Sequence, residues 1–337
     1  ATTEIYTLSL HDALPICVGT YIRELTATLK YSKINVCVVH LMSEKHQIKS
    51  EEKDGIKHWY FPSVIPENRT KSNEEKWELY YRNIVYLLQL HIQDKKNLVF
   101  QFNFLENGKL SHFLKKVFDC RTLAVNHFTE WGFIIYDNLT RLRNLLKNEF
   151  EHNVGEILRK SFEEERSYFS KVDHVICLSN YMKEIFCRDY GLNSTKVSVI
   201  PNGLFDTTIP ANNKTLIRKK WNVQIDEKII LFVGRIDEIK GVFFLIKAFA
   251  KVLEKFQNCR LIIAGSGNYD SCFKEAKSFN TKVTLTGFLD KPDLDELYQI
   301  ADIGIIPSLF EPFGYVAVEM MMHKLPIIAT ITSGLNE

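Results

Sequence analysis

Two carboxylates, Glu311 and Glu319, bracket a Pro-Phe-Gly turn in the stretch Glu311-Pro312-Phe313-Gly314-Tyr315-Val316-Ala317-Val318-Glu319. A turn built on Gly314 lets backbone N–H groups approach an anion with no Cβ in the way, and the helix N-terminus that follows adds partial positive charge. Phosphate fits such a place. Glu311 is expected at the lip of the turn, facing whatever is bound. Glu319, about one and a half turns into the helix, is placed to accept hydrogen bonds from hydroxyls, with sugar and ribose the obvious sources. A second motif lies upstream, where residues 229–241 read Ile-Ile-Leu-Phe-Val-Gly-Arg-Ile-Asp-Glu-Ile-Lys-Gly. It reads as a strand, a short loop carrying Arg235 and Lys240, and then a helix over 242–256. Two cations at the carboxyl end of a strand suit a diphosphate, because they stabilise both its ground-state charge and the charge that develops when it leaves. Each motif alone also fits solvated surface, either two exposed glutamates on a helix after a proline or an Arg–Lys pair on a loop.

Taken together and in this order, the two motifs resemble the signature of the family 4 retaining glycosyltransferases. The resemblance implies an α/β chain of the GT-B fold, two Rossmann-like domains facing across a cleft. It implies a hexosyltransferase-type activity that moves a sugar from a nucleotide-diphosphate sugar to a glycan or lipid-linked acceptor in cell-surface polysaccharide synthesis, with no metal and no cofactor. Arg235 and Lys240 would neutralise the donor diphosphate, Phe313 and Gly314 would offer it backbone N–H groups, Glu311 would hold sugar hydroxyls, and Glu319 the nucleotide ribose. His127, directly after the strand candidate 121–126, matches a family histidine near the transferred sugar. The stretch Val18-Gly19-Thr20-Tyr21 resembles the glycine-rich turn whose backbone approaches the diphosphate, which would place Gly19 there. However, Ile16 and Cys17 stand where its leading glycines belong. Family members are usually held to retain configuration by front-face departure assisted by the leaving phosphate, so no enzymic nucleophile is expected. The rival reading is a non-catalytic module that binds a nucleotide sugar or sugar phosphate; turnover against binding alone separates the two.

The surrounding elements alternate as these motifs need. Strands are predicted over 260–264, 283–286, 302–307 and 326–331, with helices over 270–278, 294–300 and 314–323. Continuous apolar strands joined by helices imply a parallel sheet covered on both faces, whose ligands bind beyond the carboxyl ends. Gly265-Ser266-Gly267 follows a strand like a dinucleotide turn, but Asp270 replaces the third glycine and no acidic ribose partner follows. Asp293-Leu294-Asp295 has the spacing of a metal-binding pair, yet it follows Pro292 at a helix start, where carboxylates serve as cap and dipole partners.

The N-terminal half repeats the rhythm with strand candidates at 34–40, 98–102, 121–126, 174–178 and 197–200, and helices at 75–90 and 180–190. Glu163, Glu164 and Glu165 read as a solvated helix face. The turn signal Ile200-Pro201-Asn202-Gly203, followed by the polar run 206–214, divides an acceptor domain over 1–203 from a donor domain over 204–337. Residues 7–16 show neither strand alternation nor a signal-peptide layout and resemble translated adapter sequence, so the first strand is expected to be missing or replaced. By the resemblance, the stop at Glu337 is expected to leave the second domain short of the elements that close it in the family.

Forty-three Lys and Arg against 41 Asp and Glu give a net charge of +2, too balanced for nucleic acid to be a main partner. The seven cysteines form no Cys-x-x-Cys pair and read as reduced core residues, and no apolar run reaches the length of a membrane span, which points to the cytoplasm. Residues 134–148 form a basic amphipathic segment that packs on the N-domain by default. It also has the character of a helix lying on the inner face of an anionic membrane, where a lipid-linked acceptor would be presented.

Overall fold

The computed structural model describes residues 4–10, 16–63, 73–105, 108–136, 138–147, 153–208 and 213–337. Residues 11–15 of the anomalous N-terminal stretch, Asn148, and 209–212 of the polar run lie outside these. The chain divides into two compact units: Ala1–Trp131 with Thr140–Gly203, and Gly132–Leu139 with Leu204–Glu337.

The first unit is built on strands β1 (Glu4–Leu10), β2 (Asn35–Ser43), β3 (Lys49–Lys53), β4 (Ile56–Pro62), β5 (Leu98–Phe102), β6 (Cys120–Asn126), β7 (His174–Cys177) and β8 (Val197–Val199). Its helices are α1 (Ile16–Leu29), α2 (Asn73–His91), α3 (Gly108–Val117), α4 (Glu130–Ile135), which runs on into the second unit, α5 (Leu139–Lys147), α6 (Asn153–Lys171) and α7 (Asn180–Arg188). The eight strands run in the order β3-β4-β2-β1-β5-β6-β7-β8, parallel except for the β3–β4 hairpin. That hairpin turns at Asp54-Gly55, both with positive φ. This is the Asp-Gly signal of a tight turn, and the strand candidates above passed over it.

The expectation of a missing first strand is corrected by β1. Residues 4–10 form β1 at the centre of the sheet, with Tyr6 opposite both Cys37 and Phe100. A central strand is buried on both faces, so it need not alternate. Thr7 and Ser9, which read as polar interruptions, are themselves buried, and the Thr7 hydroxyl accepts from the Asn103 side-chain amide at 2.8 Å.

Glu165 also departs from its expected place. Glu163 and Glu164 make surface ion pairs, but Glu165 is 1% exposed. It accepts from the Glu130 N–H at 2.6 Å and hydrogen-bonds the Tyr190 hydroxyl, which in turn accepts from Trp131 Nε1 at 3.0 Å. The buried carboxyl therefore holds the first turn of α4, and burial pushes it up to about 8. Of the amphipathic segment, Leu142 is in the core and Arg143 makes two bonds to Asp189, at 2.9 and 2.8 Å.

The second unit has the all-parallel order β11-β10-β9-β12-β13. The strands are β9 (Lys228–Val233), β10 (Cys259–Ala264), β11 (Val283–Gly287), β12 (Ile303–Ile306) and β13 (Ile327–Ala329). Ile229 and Leu231 of β9, with Ile262 and Ala264 of β10, face a core completed by α8 (Lys214–Lys220), α11 (Lys291–Ile300) and α12 (Tyr315–Met322). Phe232, Leu261 and Ile263 face the opposite core under α9 (Val242–Leu253) and α10 (Tyr269–Glu275). The period of two thus supplies two apolar layers from one run of apolar residues.

At the carboxyl ends of β9, β10 and β12 the loops touch backbone to backbone. A Cβ added at Gly241 (φ 69°) would lie 1.9 Å from the Pro307 carbonyl oxygen, and one at Gly265 (φ 150°) 1.8 Å from that of Gly234. Gly287 (φ 77°) has only the Tyr269 hydroxyl, at 3.9 Å. Gly287→Ala should therefore carry only left-handed strain, about 1–2 kcal/mol, whereas Gly241→Ala should add roughly 1–3 kcal/mol of overpacking. Thermal melts of the two variants check the difference.

Glu165 gives a second expected outcome. Its native value lies above the unfolded one near 4.5, so the folded state binds the extra proton. Its stabilising contribution is complete below the unfolded value and is lost as pH rises through about 8. The melting temperature should fall between pH 5 and 9, and the fall should be shallower in Glu165→Gln.

Candidate functional site

β9 and β12 are neighbours, so the loops carrying the two sequence motifs leave the sheet side by side. They are joined by a hydrogen bond from the Leu309 N–H to the Ile239 carbonyl at 2.7 Å. Glycine at 241 is what allows that approach. Within the first loop the Asp237 carboxylate accepts from the Lys240 N–H at 2.8 Å, and the Lys240 ammonium then reaches across to the Glu311 carboxylate in a short, half-buried ion pair. Arg235 pairs instead with Asp237 at 3.1 Å and is 56% exposed.

A third loop, after β13, fixes Glu311 from the other side. The Ser333 hydroxyl accepts from the Glu311 N–H at 3.0 Å, and the Gly334 N–H donates to the Glu311 carbonyl at 3.0 Å. Gly334 has no room for a side chain, since its Cβ would meet the Pro312 carbonyl oxygen at 2.1 Å. Gly314 adopts φ 88° at the N-cap of α12, with Leu335 packed where its Cβ would be. Phe313 packs edge-on against Tyr315 at 5.2 Å. Among the described residues, no hydrogen bond uses the N–H of Phe313 or Gly314. Two unengaged backbone donors at a helix start, following the glutamate that pairs with Lys240, are chemically able to bind an anion.

Glu319 stands on α12 and accepts from the Tyr298 hydroxyl of α11 at 2.8 Å. The structure thus brings Lys240 and Glu311 together. Arg235 is linked to Lys240 only through Asp237, and no hydrogen bond or ion pair among the described residues joins Glu319 to that pair.

The two alternative motifs have other work. Gly265 and Gly267 take φ of 150° and 147° because their loop lies directly on the backbone of Gly234 and Ile236. Close approach of chain to chain accounts for them. The α11 cap is Asp290, which accepts from the Asp293 N–H, while Asp293 pairs with Lys220 at 2.8 Å. Asp295 was expected as a cap or dipole partner, but it is 5% exposed and is held by Lys291, with His323 Nε2 3.2 Å away. Among the described residues no group of three or more His, Cys, Asp or Glu side chains is placed to hold a metal ion.

In the first unit, His127 follows β6 and is 7% exposed. Its Nε2 lies 3.1 Å from Asn103 Oδ1, and Tyr21 packs against the ring at 4.8 Å. The Asn103 amide nitrogen donates to Thr7 Oγ1 and the Leu8 carbonyl, so its oxygen faces the ring; that assigns the proton to Nε2 and leaves Nδ1 as the acceptor. Burial lowers His127 to about 3, and the ring is neutral. Sequence reasoning missed the supporting Thr7, Gln101, Asn103 and Tyr21; for the first three, polar residues inside or just after an apolar strand were the available signal. Gly19 lies in the first turn of α1 rather than in a separate glycine-rich turn.

Residues 18–206 match the family model Glycosyltransferase Family 4, more than half of the chain, and residues 213–337 match Glycosyl transferases group 1. An uncharacterized glycosyltransferase of Methanocaldococcus jannaschii is 40% identical over 172 residues, 48% of this chain and 43% of that protein. The chain therefore matches less than half the length of that relative. Sucrose-phosphate synthase from Thermosynechococcus elongatus superposes with a TM-score of 0.75 at 20% identity, covering 99% of this chain and 82% of the other. Anabaena HepE in complex with UDP-glucose superposes with a TM-score of 0.68 at 17% identity, covering 99% and 82%. These likenesses give the fold as GT-B, with two Rossmann-like units. With one model spanning most of the first unit and the other most of the second, the chain belongs to glycosyltransferase family 4.

Proposed function

We propose that the protein is a retaining glycosyltransferase of hexosyltransferase type that carries a sugar from a nucleotide-diphosphate donor to a glycan or lipid-linked acceptor in cell-surface polysaccharide synthesis. The observation that carries this reading is the Lys240–Glu311 pair beside the unengaged N–H groups of Phe313 and Gly314. HepE, a protein of the same fold, is described in complex with UDP-glucose. The second unit then holds the donor and the first the acceptor. No helix among the described residues is long and apolar enough to cross a membrane. A cytoplasmic site, with peripheral contact at an anionic membrane surface, belongs to the proposal.

In this reading the ion pair is a resting arrangement. An arriving diphosphate competes for Lys240, while the N–H groups of Phe313 and Gly314 and the guanidinium of Arg235 take other phosphate oxygens. Glu311, released from the ammonium, turns to accept from sugar hydroxyls, and Glu319 accepts from the ribose. Carried by the resemblance, His127 attends the transferred sugar and Gly19 the diphosphate. In the chemical step the bond from the anomeric carbon to the diphosphate oxygen breaks, its electron pair leaving with the diphosphate. The acceptor oxygen bonds to the anomeric carbon from the same face, and its proton passes to the departing phosphate oxygen. The two cations act on the charge that develops there.

Lys240→Ala should weaken nucleoside-diphosphate binding and slow transfer together, by roughly 1.5–3 kcal/mol, about one to two decades. Arg235→Ala should act in the same direction but less, because the side chain is more than half exposed. Glu311→Gln should slow transfer more than it weakens nucleotide binding, and a chelator should change neither quantity. Calorimetry with a nucleoside diphosphate, beside initial rates with its sugar, tests these together. Equal nucleotide affinity in wild type and both cation variants would remove the diphosphate assignment, and a rate lost to chelator would remove metal independence. Binding without any turnover would favour the non-catalytic module.

His127 allows a pH test. Its ring stays neutral far below the ordinary histidine range. The rate profiles of wild type and His127→Asn should therefore run parallel between pH 5 and 8; an inflection present only in wild type would contradict the neutral ring.

A further inference from the structure

We propose that Tyr298 is a positioning residue for Glu319: its buried hydroxyl fixes one carboxylate oxygen so that the other is presented to the ribose hydroxyls of the nucleotide. The inference rests on Glu319 serving the ribose and extends that reading to a residue no motif contains.

The geometry is a clamp between two helices. Tyr298 of α11 is 1% exposed and belongs to the apolar core under α12. Its hydroxyl donates to Glu319 Oε2 at 2.8 Å, and among the described hydrogen bonds Oε1 has no partner. The Tyr298 ring is held in turn by His323, with ring centroids 4.9 Å apart. His323 closes the clamp at the backbone: Nδ1 lies 2.9 Å from the Glu319 carbonyl oxygen, and Nε2 is 3.2 Å from Asp295 Oδ1, an ion-pair distance without hydrogen-bond alignment. Glu319 is therefore tied to α11 through its side chain, while the His323 ring that packs on Tyr298 meets its main-chain carbonyl.

A glutamate on a helix surface has three rotatable side-chain bonds, and a carboxylate that must meet two hydroxyls loses that freedom on binding. A donor fixed in the core removes the loss beforehand. Burial, with the Glu319 carboxylate beside it, pushes the Tyr298 hydroxyl well above its ordinary range, so it remains a proton donor wherever the protein is folded. The bond takes up one oxygen and leaves acceptor capacity on the other for a diol.

The test compares a nucleotide that has the diol with one that lacks it. UDP, ADP and GDP are titrated against the full chain, and the tightest is carried forward with its 2′,3′-dideoxy analogue. Wild type should prefer the ribonucleotide by roughly tenfold or more. Glu319→Ala should abolish the preference. Tyr298→Phe, which keeps the ring, should reduce it by about three- to tenfold while leaving dideoxy affinity at the wild-type level. A purely structural role would weaken both nucleotides alike. If Tyr298→Phe weakens both, adding it to Glu319→Ala decides the matter: no further change supports positioning through Glu319, and a further loss overturns it. Loss of the preference in Glu319→Ala with full retention in Tyr298→Phe overturns the role of Tyr298 alone. A wild-type preference in Glu319→Ala, or binding of none of the three diphosphates, overturns the ribose reading and the role of Tyr298 with it.

Discussion

Contact between main chains, with no side chain between them, is the constraint on which the second unit depends. The Gly241 α-carbon sits so close to the Pro307 carbonyl that not even a methyl group fits, and the neighbouring Gly234–Gly265 and Ile236–Gly267 approaches are equally tight. Parallel strands deliver their carboxyl ends to one edge of the sheet, but that alone leaves loops standing apart. Glycine lets them collapse onto one another, and the collapse brings Lys240 within reach of Glu311.

The first unit solves a different problem. Its central strands end in a layer of buried polar side chains, Thr7, Gln101, Asn103 and His127, hydrogen-bonded to one another. Such a layer is tolerable only when its members find partners, and here each sets the orientation of the next. The Asn103 amide is turned by Thr7 and Leu8, and the ring of His127 is turned by Asn103.

What could be read in the sequence follows the same division. The second unit was legible because three of its strands are largely apolar runs ended by glycine, so β9, β10, β11 and α12 fell close to where the residues placed them. The pairing of Lys240 with Glu311 was not, since a sequence gives the loop of each residue but not which charge satisfies which. In the first unit, β1 was invisible because Thr7 and Ser9 look like solvent-facing residues until the strand is known to be covered on both sides. Glu165 misled for the matching reason: three consecutive glutamates read as surface, yet consecutive helix positions point about 100° apart, and only the third turns inward to Tyr190. The β3–β4 hairpin was legible through Asp54-Gly55 and was overlooked.

The position of β1 has a consequence for the order in which the first sheet can assemble. Synthesis produces β1 ahead of every other described strand, yet the strand lies in the middle, with β2 on one side and β5 on the other. Its first edge finds a partner once Asn35 and its neighbours have emerged. Its second must wait for Leu98, and through that interval an apolar edge with open main-chain groups remains uncovered. A nascent chain in this state is bivalent toward any extended segment nearby, including the same strand on a neighbouring polysome. The charged β3–β4 hairpin is translated within that interval and adds next to β2, so it seals one flank while the other is still waiting.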